Sequence, residues 1–155
     1  MTQIIQCLCA FTGTLGLGII FNIRGKNLFF AALGGILSWT AFSLSGLFLP
    51  SDIGQYFFAA IIISLYSECM AMIRKVPVTI FLVTSMIPLV PGGIIFKTMQ
   101  NLISGKNRLG AEMGIYAFEI AGSIALGILL MAYVVRAIKQ IMHVRYLFKL
   151  KKDKH

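Results

Sequence analysis

The stretch Val76 to Phe96, VPVTIFLVTSMIPLVPGGIIF, decides how this chain folds, because the hexapeptide Pro88-Leu89-Val90-Pro91-Gly92-Gly93 interrupts an otherwise apolar run. Each proline lacks an N–H and clashes with the preceding helical turn, and each glycine weakens a helix further. A break at membrane depth leaves backbone groups that lipid cannot satisfy, so it persists only against protein or a watery cavity. Transport proteins use such broken helices to hold substrates and ions. The stretch therefore points toward a transported ligand.

The rest of the chain agrees with a membrane setting. Hydrophobic residues make up 58% of the 155 residues and charged residues 12%, with a mean hydropathy of +0.87. A soluble domain carries about twice that charged fraction. The apolar N-terminus lacks the basic n-region of a secretory signal, so Met1 to Ile23 reads as mature structure. The expected fold class is an all-α polytopic membrane protein of five transmembrane helices, with spans at about 3–23, 27–50, 53–73, 76–96 and 113–135 and a broken fourth helix. A basic tail, 136–155, follows.

The net charge of +9 is distributed in a way that sets orientation. Arg24 and Lys26 fall in the first loop, Arg74 and Lys75 in the third, and Arg136, Lys139, Arg145, Lys149, Lys151, Lys152 and Lys154 in the tail. All become cytoplasmic if the N-terminus is outside and the C-terminus inside, while the loop Pro50 to Asp52, with no basic residue, lies outside. Lys97, Lys106 and Arg108 disagree with that rule, but a re-entrant fourth segment would place the whole tail outside. The segment Phe96 to Leu109 reads as a short interfacial helix or loop. The tail continues the fifth helix and meets lipid headgroups, with Ile138, Ile141, Met142, Phe148 and Leu150 available to lipid; these charges imply no nucleic acid.

Nothing in the pattern is catalytic. Cys7, Cys9 and Cys69 lie within spans and form no disulfide framework, and His143 and His155 sit in the tail. With no metal-ligand spacing and no Gly-rich phosphate loop, neither a metal nor a cofactor is expected. The candidate site is the break. After Pro91 the chain can restart as a half-helix through Gly92 and Gly93, whose free N–H groups and dipole favour an anion. Lys97 adds charge one turn on, and Thr84 and Ser85 offer hydroxyls just before. The substrate-binding set is thus Pro88, Pro91, Gly92, Gly93, Ser85 and Lys97; the alternative is a proline kink that only helps helices pack.

Glu68 and Glu119 are the acidic residues inside spans and the candidates for proton or ion coupling. Glu68 can instead snorkel to Arg74 or Lys75. Glu112, Tyr116, Glu119, Ser123 and Gly127 recur at helical spacing and form one face, which suits either a polar path or a helix–helix seam. Thr14 with Gly18, Ala31 with Gly35, and Gly34 with Ser38 are spaced for close helix packing. Trp39 sits mid-span and packs inside the bundle, and Asn22 either caps the first span or lines a cytoplasmic opening.

The run Ser67 to Met99, SECMAMIRKVPVTIFLVTSMIPLVPGGIIFKTM, resembles the threonine/serine exporter-like family, and most closely its small subunit, the equivalent of the C-terminal half of single-chain exporters. The matching positions are Glu68, the pair Arg74 and Lys75, Pro77, and Pro88 through Gly92. FNIRGKNLFFAALGGILSW resembles the family's first loop and second span, although many members carry a proline in place of Arg24; Gly110, Glu112, Ala125 and Gly127 resemble its last span. The resemblance implies a secondary exporter of small amino acids or dicarboxylates in a bacterial inner or plasma membrane. It also implies a partner, a larger exporter subunit. Two rivals differ in class: a non-transporting scaffold or assembly subunit, and a membrane enzyme acting on lipids, which the absence of a histidine or acidic cluster disfavours.

Overall fold

The computed structural model describes residues 2–152, with side chains described from 3 to 141. Six helices follow one another: α1 (Thr2–Ile20), α2 (Lys26–Ser45), α3 (Asp52–Arg74), α4 (Val78–Met86), α5 (Gly92–Ile103) and α6 (Asn107–Lys152). A 3-10 turn, Ile87–Leu89, closes α4. No strand occurs among the described residues. Four helices are long and apolar enough to cross a membrane, and α4 with its 3-10 turn plus α5 form a fifth path bent by 54°.

The helix ends follow from local chemistry. Asn22 takes a left-handed conformation (φ 56°) after α1. Its N–H donates to the Ile19 carbonyl and the Ile23 N–H to the Gly18 carbonyl, both at 2.9 Å. That pair of bonds satisfies carbonyls a helix end leaves open. Asn22 is therefore a cap, and its Oδ1 accepts from Arg24 Nε at 2.9 Å. Lys75 ends α3 the same way (φ 54°), with Pro77 blocking any continuation.

Small residues let the helices approach. Thr14, Ala31 and Ser38 are fully buried, and Gly18, Gly34 and Gly35 are buried with them. A Cβ on Gly35 would stand 2.8 Å from Thr14 Cβ, and one on Gly34 would stand 2.8 Å from Ser85 Cβ. The first contact joins α1 to α2, the second α2 to α4. The central core holds Ala41, Ala59, Ala60, Ile63, Leu89, Ile120 and Ile124, drawn from α2, α3, the 3-10 turn and α6. A second cluster of Ala31, Met70 and Phe81 lies nearer the Arg74 end.

α3 and α6 run side by side in the same direction. Tyr116 donates to Asp52, Ser123 to the Ile53 carbonyl, and Lys139 to Glu68, so positions rise together along both helices. This register also orients the bent path of α4 and α5. α5 packs antiparallel on α6, with Asn101 donating to Met113 Sδ at 3.3 Å and Leu102 against Gly110. Those α6 residues precede Tyr116, so α5 carries the chain beyond the start of α3 instead of folding back toward Arg74.

One expectation needs correction. Phe96 to Leu109 is not a separate interfacial element: Phe96 to Ile103 extends α5, and Asn107 to Leu109 opens α6. The segment lies on α6 through Thr98, Asn101 and Leu102, and it turns only at Gly105 (φ 74°), where Lys106 N–H donates to the Asn101 carbonyl at 2.9 Å. The tail continues the last span within one 46-residue helix, α6. Side chains from Met142 onward, including Phe148, Leu150 and the remaining tail lysines, lie outside the described ones.

Candidate functional site

The break sits within the bundle, with Leu89 1% exposed. Leu89 packs with Ala59, Ala60 and Ile63, seven to eleven residues into the 23-residue α3. That is about 10–17 Å from the Asp52 end at helical rise. Pro91 has no N–H, and at φ −76°, ψ 53° it is not helical. Around it the chain makes a tight γ-type turn, with Gly92 N–H donating to the Val90 carbonyl at 2.7 Å. Ile94 and Ile95 N–H both reach the Pro91 carbonyl at 3.1 Å.

This turn leaves specific groups over. Among the described residues, the carbonyls of Pro88 and Leu89 accept no hydrogen bond, and the N–H of Gly93 has no acceptor. In an unbroken helix Gly92 and Gly93 would have donated to those carbonyls. The half-helix start therefore offers one free donor, fewer than the sequence suggested, because the γ-type turn and the Pro91 carbonyl absorb the others. It adds two free acceptors that sequence reading did not identify. Gly92 and Gly93 are exposed, and a Cβ on either meets nothing within 4 Å.

The other candidate residues divide. Ser85 is fully buried, and its hydroxyl donates to the Ala31 carbonyl at 3.3 Å, while Thr84 donates to the Ile80 carbonyl at 2.7 Å. Both hydroxyls face packed helix, not the exposed glycines. Pro88 lines a cleft with Gln6, Cys9, Ala10 and Trp39. Lys97 is exposed on α5 and makes no ion pair among the described residues.

Glu68 pairs with neither Arg74 nor Lys75. Its carboxylate accepts from Lys139 Nζ at 2.9 Å, with the two side chains 16% and 46% exposed. Arg74 instead donates to Asn27 Oδ1 at 2.8 Å and lies 5.6 Å from the Phe30 ring centre. The parallel register of α3 and α6 makes that choice, since it carries Lys139 to the depth of Glu68.

The polar stripe of α6 is mostly a seam. Tyr116 reaches Asp52 Oδ2 at 2.8 Å, Ser123 reaches the Ile53 carbonyl at 2.7 Å, and Gly127 admits Phe57 and Ala60 of α3. Glu112 pairs with Arg108 on the surface. Glu119 departs from this pattern. It is exposed in a groove with Ile53, Gly54, Phe57, Gly122 and Leu126, and has no partner among the described residues. Twenty residues of α6 separate it from Lys139, about 30 Å, so the two glutamates do not form one site. A hollow of about 310 Å³ between α5 and α6 is lined by Ile95, Met99, Phe118 and small residues. Its one hydroxyl, Thr98, is already bonded to the Ile94 carbonyl, which suits an acyl chain better than an amino acid.

A family model described as threonine/serine exporter, ThrE, matches residues 6–134. The chain belongs to this family. No curated protein and no solved structure matches the chain. The matched region begins in α1 and ends in α6, so it takes in the break and both buried clusters. For a member of the threonine/serine exporter family, a transport role is the consequence, with the membrane as its setting and a small molecule as its cargo. Lys139 lies beyond the matched residues, so the ion pair of Glu68 ties the matched region to the remainder of α6.

Proposed function

We propose that this chain is the small subunit of a two-component secondary exporter of small amino acids, threonine and serine above all, with dicarboxylates as the alternative cargo. The observation that supports it best is the set of free backbone groups at Pro88, Leu89 and Gly93, within a chain of the exporter family. A zwitterionic amino acid matches that set. Its carboxylate takes the Gly93 N–H and the positive end of α5, and its ammonium takes the freed carbonyls. Lys97 adds attraction for the carboxylate. Glu119, unpaired in its groove, and Glu68, once released by Lys139, are the residues proposed to carry the coupling proton. A larger subunit supplies the rest of the pathway.

The orientation proposed is N-terminus outside and C-terminus cytoplasmic, in the bacterial inner or plasma membrane. Arg74 bonded to Asn27, and Glu68 bonded to Lys139, gather Arg24, Lys26, Arg74, Lys75 and Lys139 at one end of the bundle. That end is the cytoplasmic one by the positive-inside rule.

Gly92→Leu with Gly93→Leu tests the site. Both Cβ positions are open, so the double variant should insert and fold normally. Export of serine and threonine, measured as intracellular accumulation in cells that also carry the larger subunit, should fall at least tenfold. Unchanged export would refute the binding role of the break. A scaffold subunit would instead lose complex assembly and keep the transport rate per complex.

A further inference from the structure

Trp39 lines the cleft beside Pro88, and the indole carries an unused donor. The cleft measures about 290 Å³ between α1, α2 and the 3-10 turn, and Gln6, Cys9 and Ala10 form its α1 wall. Trp39 Nε1 is buried and has no hydrogen-bond partner, the sole side-chain nitrogen or oxygen in that condition among the described residues. A buried N–H left unpaired is costly, and such groups in a folded protein require an explanation. Packing alone does not supply one, because Phe42 already holds the ring at 5.6 Å without using its nitrogen.

Pro88, on the same cleft, carries one of the two carbonyls that Pro91 leaves free. An unused donor and an unused acceptor, on two residues that line one small cleft, complement a group that both accepts and donates. A hydroxyl does both. We propose that this cleft is the specificity subsite for the side-chain hydroxyl of the exported amino acid, with Trp39 Nε1 donating to it and the Pro88 carbonyl accepting from it. The exposed amide of Gln6 is the third polar group at the rim. The nitrogen is covered in this conformation, so occupancy requires the cleft to open, and α1, which forms one wall, is the helix placed to give way. α1 is the least embedded of the long helices, with 11% of its apolar window buried against 33–39% for the others. This subsite rests on the reading of the break as the substrate contact.

Trp39 is the chain's single tryptophan, so the emission of the full chain in lipid nanodiscs reports on the cleft directly. L-Serine should change that emission saturably, and L-alanine, the same skeleton without the hydroxyl, should need at least tenfold more. Trp39→Phe keeps a ring and removes the N–H. The serine level giving half-maximal export should rise about five- to tenfold, the value of one hydrogen bond, with alanine handling changed less than twofold. Gln6→Leu, at an exposed position that folding does not depend on, should produce a smaller loss of the same serine-selective kind. Equal responses to serine and alanine, or normal serine export by both variants, would overturn the subsite. If that happened while Gly92→Leu with Gly93→Leu still abolished export, the exporter reading would stand and only the hydroxyl assignment would fall.

Discussion

Gly34→Ala is the most direct test of how α4 is held. The added Cβ would stand 2.8 Å from Ser85 Cβ and 3.0 Å from the Tyr66 ring, and closer still to Ser85 Oγ. The hydroxyl can rotate away, giving up its 3.3 Å bond to the Ala31 carbonyl. The Cβ cannot, and carbon atoms prefer about 3.5–4.0 Å, so α2 and α4 must part by about 1 Å. Overpacking of this kind costs about 1–3 kcal/mol. Gly13→Ala is the matched control, since nothing lies within 4 Å of its Cβ. Both changes gain the same helix propensity, about 1 kcal/mol, so it cancels in their difference. Thermal unfolding in detergent micelles should place Gly34→Ala about 3–10 °C below Gly13→Ala for a chain of this size. Adding Ser85→Gly should recover most of that gap, because it removes both clashing atoms. Equal melting of the two alanine variants would refute the packing argument.

Two other contacts make equally definite predictions. Glu68→Gln and Lys139→Met should each destabilise the bundle, and the double variant should lose less than their sum. Because Lys139 is 46% exposed, the coupling should be about 0.5–1 kcal/mol, read from a double-mutant cycle of unfolding midpoints. Pro91→Ala should let Gly92 and Gly93 bond the Pro88 and Leu89 carbonyls and straighten the 54° bend. The expected result is a melting temperature at or above that of the parent chain, with serine export reduced at least tenfold.

Much of this arrangement was legible in the residues. Apolar run lengths located the long helices, and Pro91 with the two glycines located the break and the restart at Gly92. Helical spacing identified Thr14, Gly35, Gly34 and Ser38 as packing positions, since that signal is local. The partner of Glu68 was not legible. Arg74 and Lys75 are its neighbours in sequence, whereas Lys139 is 71 residues away and arrives only through the parallel register of α3 and α6. The extent of α5 was missed because Phe96 to Ile103 has mixed polarity, and only contact with α6 makes it continue as helix. The stripe on α6 was found, but periodicity alone could not tell that Tyr116 and Ser123 face α3 while Glu119 faces a groove. The freed carbonyls and the unpaired indole were invisible for a different reason. Both are failures of pairing in three dimensions, and no residue type announces them.

The two halves of the broken path belong to different neighbourhoods. α4 packs against α1, α2 and α3, whereas α5 leans on α6, with only Ile94 reaching the central core and no residue of α5 fully buried. The residues from Pro88 to Gly93 therefore join one half held by three helices to another held by one. α5 is 12 residues long, about 18 Å, so a 10° swing displaces its far end by about 3 Å. The same swing changes the gap between the Leu89 carbonyl and the Gly93 N–H by far less, because both lie at the pivot. A ligand held there would keep its contacts through such a swing.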